Sequence, residues 1–227
     1  MRVLAIDTAL AACSAALFDT EHGGLVASES LPMTRGHAEA LMPLLKRVID
    51  QAGIGFSAID RVAVTTGPGS FTGLRVGLAA ARGIALAADK PAVGLSTLAV
   101  FAAPHMATDD SFPVVAAIDA RHGHVYLQVF GAGGRTFSTP RLASLREAAA
   151  AAAETPAFIV GSAAQSVADA LTEGAAPPVT VDTRLAPDIA WVARMGAVVP
   201  EGQSPPTPQY LRAADAQPQY AAQLPRR

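Results

Sequence analysis

The stretch Arg2–Phe18 returns, without a gap, as Val114–Phe130. Val3, Ala5, Ile6, Asp7 and Phe18 fall on the identical residues Val115, Ala117, Ile118, Asp119 and Phe130. Each copy reads as an apolar strand, an aspartate, a turn and a second apolar strand. A repeat on that skeleton predicts an internal duplication, hence two related lobes.

The elements that follow each copy agree. After the first come a strand at Leu25–Leu31, a helix at Gly36–Ala52 with Pro43 as a candidate kink, a strand at Val62–Thr66, a helix ending at Ala88, a strand at Pro91–Leu95 and a short helix at Ser96–Ala103. His105–Ser111 is polar and reads as a linker. After the second come helices near Leu142–Ala153, Ala163–Leu171 and Pro187–Val198, with a strand at Phe158–Val160. The expected fold class is α/β: two similar lobes of the actin-like ATPase type, each a mixed sheet with helices, the second reduced. Residues 1–105 form the first lobe, 106–212 the second, and 213–227 an extended or disordered tail.

Composition narrows the function classes. With 51% hydrophobic and 16% charged residues the chain has enough apolar surface for a core, which excludes disorder as the main state. The net charge of −2 gives no basic shell, so contact with nucleic acid would need a positive groove supplied by something else. One cysteine, Cys13, allows no internal disulfide and no cysteine zinc site, and a reducing, cytoplasmic setting is expected. Leu10-Ala11-Ala12-Cys13 is similar to a lipoprotein cleavage box, but Asp7 interrupts the short apolar run before it. The most apolar helical stretch, Leu74–Ala88, carries Arg75 and Arg82 and falls short of the ~20 residues that cross a bilayer.

Three features bear on chemistry. Asp7-Thr8 ends the first strand, where this fold places phosphate and magnesium; a strand-end aspartate holding turn amides is the other reading. Gly67-Pro68-Gly69-Ser70-Phe71-Thr72-Gly73 opens a helix, so its glycines and the helix N-terminus suit either an anion or a tight strand-to-helix joint. Asp7, Thr8, Gly67, Gly69, Ser70 and Thr72 thus form a candidate vestigial nucleotide or anion site, although no Gly-Lys-Ser/Thr makes it a P-loop. Gly73, Gly77, Ala80, Ala81 and Gly83 give the helix a small face, for close approach either within the chain or to another subunit.

The second lobe opposes an ATP site. Arg121 and His122 follow Asp119 where a phosphate turn wants glycine, and Gly161-Ser162-Ala163 has one glycine where a pair is usual. His122 and His124 flank Gly123 in a turn and make half a metal site at most; His37, at a helix start, reads as structural. No HExxH, Ser-His-Asp motif or carboxylate pair emerges, so no catalytic and no metal residue is assigned.

The run Thr65–Gly77 resembles the signature of the TsaB (YeaZ) family of tRNA threonylcarbamoyladenosine biosynthesis proteins. Ile6-Asp7-Thr8, Asp119-Ala120-Arg121-x-Gly123-x-Val125-Tyr126 and Pro208-x-Tyr210-Leu211-Arg212 resemble it too, in the same order; His124 stands where the family often has an acidic residue. The resemblance implies a non-catalytic subunit that binds and activates the transferase TsaD in modifying adenosine beside the tRNA anticodon. TsaD carries a His-x-x-x-His metal pair; the matching positions here are Thr97 and Phe101, which cannot replace imidazole at a metal. It further implies a helical bundle with TsaD built from Gly36–Ala52 and Thr72–Ala88, with Leu41, Leu45, Val48, Gly73, Leu74, Gly77, Ala80 and Ala81 as interface residues. The ATPase TsaE is expected to join, tRNA to be met through the complex, and a homodimer to form when the chain is alone. No cofactor is expected beyond weak or interface-dependent nucleotide binding. The rivals are a stand-alone ATPase or small-molecule kinase using the cleft, and a metalloprotease, which the missing histidines oppose.

Overall fold

A computed structural model describes residues 1–22, 24–200, 202, 204 and 206–212. The expected tail, 213–227, lies outside the described residues.

The first sheet holds β1 (Arg2–Asp7), β2 (Ala12–Asp19), β3 (Gly24–Pro32), β4 (Arg61–Gly67) and β5 (Ala92–Ser96), in the order β3-β2-β1-β4-β5. The second holds β6 (Val114–Asp119), β7 (His124–Phe130), β8 (Arg141–Ser144), β9 (Phe158–Val160) and β10 (Thr180–Asp182), in the order β8-β7-β6-β9-β10. The path is the same twice: three antiparallel strands, then two parallel ones on the far side of the first. β1 and β6 are central and covered on both faces, which is why they read as nearly continuous apolar runs.

The copies differ at the turn. β1 pairs with β2 as Val3↔Phe18 and Asp7↔Ser14, but β6 pairs with β7 as Val115↔Val129 and Asp119↔Val125. With the two aspartates made equivalent, the second turn is one residue shorter. The ungapped match therefore holds for the first strand of each lobe and slips by one in the second strand, where a one-residue shift exchanges faces.

α1 (His37–Gln51) and α2 (Phe71–Ala88) cover one face of the first sheet, and α4 (Leu145–Ala153) and α5 (Ala164–Asp169) cover one face of the second. The remaining two helices cross over. α3 (Thr97–Thr108) follows the first sheet but lays Leu98, Phe101 and Ala102 on β6 and β9. α6 (Ile189–Val198) follows the second sheet but packs Ile189, Val192 and Ala193 on β1 and β4. A side chain at Gly196 would collide with Cβ of Ala63, so α6 sits directly on β4. Arg61 then closes its end, donating from one guanidinium nitrogen to the Gly196 and Val199 carbonyls at 2.9 and 2.7 Å.

Three expectations need correction. Leu142 lies in the edge strand β8, and the helix starts at Leu145, behind a Ser144–Glu147 capping box. His105–Thr108 is helical rather than linker: His105 Nε2 lies 2.9 Å from Asp182 Oδ2 and its ring stacks 5.1 Å from Phe158, which carries α3 past Pro104. α1 runs unbroken through Pro43.

Candidate functional site: the inter-lobe cleft and the second helix

The glycine loop is seated on the β1 turn. Ser70 N donates to the Ala9 carbonyl at 2.8 Å, and Thr8 Oγ1 donates to the Gly73 carbonyl at 2.7 Å. A Cβ at Gly69 would strike the Ala9 carbonyl oxygen, one at Gly73 the Thr8 carbonyl oxygen, and one at Gly77 the Thr8 hydroxyl. These glycines are therefore accounted for by an intrachain contact closer than any side chain allows. Gly67, at φ 106°, makes room for the Gln209 carbonyl.

Asp7 is sealed beneath this joint, fully buried. Its Oδ1 accepts from Thr65 Oγ1 at 2.5 Å and from the Ala9 amide at 3.2 Å; its Oδ2 has no partner among the described residues. Burial pushes the carboxyl up to about 6, against the opposing pull of the Thr65 hydroxyl, the Ala9 amide and His37. Asp7 and Thr8 thus serve the strand-to-helix joint, in keeping with the turn-holding alternative, and do not line the cleft.

A cleft of about 600 Å³ lies between the lobes. Gly69, Ser70 and Thr72 reach it from the start of α2, Asp119 and Arg121 from the β6–β7 turn, and Tyr210 from the C-terminal segment. The Ser70 hydroxyl is already the N-cap of α2, 3.3 Å from the Gly73 amide. Arg121, His122 and Gly123 all have positive φ (63°, 53° and 74°), and His124 Nδ1 lies 2.9 Å from the His122 carbonyl. That is a left-handed turn, not a metal site.

The interface residues expected on α1 and α2 mostly point inward. Leu41, Leu45 and Val48 are at most 1% exposed, as are Leu74 and Ala81; Gly73 and Gly77 are buried, and Ala80 is half-buried. The buried ones face the chain's own sheet, since apolar periodicity marks the face a helix turns to its sheet. The outward stripe of α2 is Phe71, Arg75, Ala79, Gly83 and Leu86, all exposed. Leu86 is 84% exposed, and none of the described residues comes within 4 Å of where a Cβ at Gly83 would sit. On α1, exposed Met42 and Pro43 border an apolar groove of about 700 Å³ with Ile49, Ile54 and Phe56. α2 is long and apolar enough to cross a membrane by length and composition, but its inner face is fixed on β4.

Of the remaining candidates, Thr97, Phe101 and His37 are buried, while Glu21 and His22 are exposed. Thr97 and Phe101 are 0% and 2% exposed, inside the core between the lobes. His37 Nε2 lies 3.1 Å from the Leu10 carbonyl and steadies the β1 turn. Asp19, Glu21 and His22 bring ligand atoms within 4.8 Å of one another, but Arg2 Nε already lies 3.2 Å from Asp19. The Glu21 amide first, then His22 and Arg2, hold the Asp19 carboxyl down at about 2.

Residues 14–181 match the family profile described as TsaD, tRNA N6-adenosine threonylcarbamoyltransferase. The chain is 40% identical over 126 residues to the tRNA threonylcarbamoyladenosine biosynthesis protein TsaB of Escherichia coli K12, and 36% identical over 126 residues to that of Haemophilus influenzae. Those matches cover 56% of this chain, and they span about half the length of the relatives, 53% and 52%. Among solved structures, YeaZ from Pseudomonas aeruginosa superposes with a TM-score of 0.76 at 30% identity, over 92% of this chain and 99% of that one. The ethanolamine utilization protein EutJ of Carboxydothermus hydrogenoformans, at 12% identity and a TM-score of 0.50 over 85% and 89% of the two chains, shares the fold alone.

Proposed function

The chain belongs to the TsaB (YeaZ) family, and from that premise we propose that it is a non-catalytic subunit in the N6-threonylcarbamoyladenosine modification of tRNA, gripping and activating TsaD. The observation that carries the reading is the outward stripe of α2. Gly83 sits inside a helix, where glycine costs about 0.5–1 kcal/mol relative to alanine, and no contact among the described residues requires it there. Ala79 and Gly83, one turn apart between Phe71 and Leu86, leave a shallow track in which a partner helix can approach closely.

The interface proposed is thus the outer surface of the two helices first expected, and not their small inner face. The chain's net charge of −2 leaves tRNA contact to the partner's surface. The same stripe would pair two copies when TsaD is absent, and TsaE would join the assembled pair. Any nucleotide contact falls to Gly69, Ser70 and Thr72 at the cleft and is weak without the partner.

Reconstitution tests the reading. TsaD with TsaE, threonylcarbamoyl adenylate and tRNA is expected to modify adenosine only when this chain is added. Full modification without it would refute the activating role. The rival, a stand-alone ATPase, is addressed by calorimetry with ATP and magnesium on the isolated chain. No submillimolar binding is expected, because Asp7 and Thr8 are spent on the β1 joint.

A further inference from the structure

Beyond α6 the chain turns back across the first lobe. The Ser204 carbonyl accepts from the Gly94 amide at 2.8 Å, and its hydroxyl donates to the Gly94 carbonyl at 2.5 Å, on the open edge of β5. The Pro206 carbonyl accepts from Arg82 at 2.5 Å. The Gln209 amide donates to the Thr66 carbonyl at 2.7 Å, over the space that Gly67 leaves. The Tyr210 ring lies 4.9 Å from the Phe71 ring, and its hydroxyl accepts from Arg75 Nε at 3.4 Å while the Arg75 guanidinium stacks 3.7 Å over Phe71. Arg212 then reaches across the cleft and donates to the Ala120 carbonyl at 3.0 Å, in the turn after β6.

We infer that Ser204 and residues 206–212 form a clasp that sets the angle between the lobes and so the width of the cleft. The geometry is that of a strap with both ends anchored. One end is fixed to the edge of the first sheet and to α2, and the other holds a backbone oxygen of the second lobe. Gln209, Tyr210, Leu211 and Arg212 line the cleft, so the strap runs along its opening. Pro206 and Pro208 restrict the backbone between the anchors, which lowers the entropy lost in laying it down. Arg212 is a positioning residue: it acts on the cleft through the Ala120 turn, beside Arg121. The clasp does not depend on which partner the chain has. One consequence does rest on the proposed function: because Tyr210 touches Phe71 and Arg75, a partner seated on the α2 stripe would also press on the clasp.

The test uses the full chain with spin labels on cysteines replacing exposed Glu39 on α1 and Arg146 on α4; native Cys13 is buried and does not compete. Double electron–electron resonance should give one narrow distance between the lobes. The double variant Tyr210→Ala/Arg212→Ala should roughly double the width of that distribution. Amide exchange in the first turn of α2 and in the Ala120 turn should become roughly tenfold faster. Arg212→Ala alone, which leaves the α2 anchor in place, should broaden the distance without speeding exchange in α2. An unchanged distance distribution in a variant that still melts cooperatively would overturn the clasp. If the double variant did not fold, the single variant would decide on the same readout.

Discussion

The two lobes treat the same junction in opposite ways. After the fourth strand along the path, the first lobe has Pro68-Gly69-Ser70 and an 18-residue helix; the second has Gly161-Ser162-Ala163 and a six-residue helix. Both need glycine because a carbonyl oxygen stands where a side chain would go: Ala9 against Gly69 and Ala117 against Gly161. The aspartates beside them part company. Asp7 is sealed under α2 and bonded to Thr65, while Asp119 is exposed, accepts from the Arg121 amide at 2.8 Å and faces the cleft. A duplicated scaffold has kept the position of the aspartate and changed what it faces. In the first lobe Asp7 and Thr8, which the sequence offered to a phosphate, are bonded into the start of a helix instead.

That contrast can be broken in order of size. Gly73→Ala drives a methyl into the Thr8 carbonyl and should lower stability by about 3 kcal/mol or more, the upper end for overpacking. Gly123→Ala in the second-lobe turn meets nothing within 4 Å and should cost only about 1–2 kcal/mol, the penalty of a left-handed backbone. Equal losses in denaturant melts would erase the difference between the two junctions.

Asp7 supplies a pH signature. Its carboxyl is raised from 3.8 to about 6 in the folded chain, so its contribution to stability is full below about pH 4 and is lost as pH rises through 6. The swing is about 3 kcal/mol for a shift of roughly two units. Asp7→Asn keeps an oxygen for Thr65 and Ala9 and should flatten the stability profile between pH 4 and 7. A wild-type profile already flat across that window would contradict the burial described.

The crossed helices give a middle-sized effect. Arg61→Met removes the two bonds that end α6 on the first sheet and should cost about 2 kcal/mol, as for bonds from a charged donor. Faster amide exchange should be confined to α6 and β4; uniform loosening of both lobes would mean that the Arg61 bonds do not act on α6 alone. The smallest change is a gain: Gly83→Ala should stabilise the free chain by about 0.5–1 kcal/mol, since only helix propensity is altered. A loss there would show that Gly83 has an internal role.

Much of the first lobe was legible because long amphipathic helices and buried strands carry strong periods. The expected helix at Gly36–Ala52 is His37–Gln51, and the expected strand at Val62–Thr66 is Arg61–Gly67. The second lobe was less so: β8 and β10 have four and three residues, too short for alternation to show. What the pattern hid at the site was direction. A small residue gives the same local signal whether it faces a partner or its own sheet, and Gly77 was settled only by Thr8, distant in the chain. The outward stripe did leave a trace, in Phe71, Arg75, Ala79 and Gly83 at intervals of four. The strap left little, since a proline-rich segment has no period and its bonds are made to Thr66, Gly94 and Ala120 far away.

The central claim is that the outside of α2, and not its glycine-lined inside, is where this chain meets TsaD. Gly77→Leu cannot test it, because that change strikes Thr8 and disturbs the fold itself. Gly83→Leu can, since the free chain has room for it. Titration calorimetry of the Gly83→Leu chain against TsaD should show affinity roughly tenfold to hundredfold weaker than wild type, with the melting temperature equal or higher. Undiminished affinity in that well-folded variant would contradict the account.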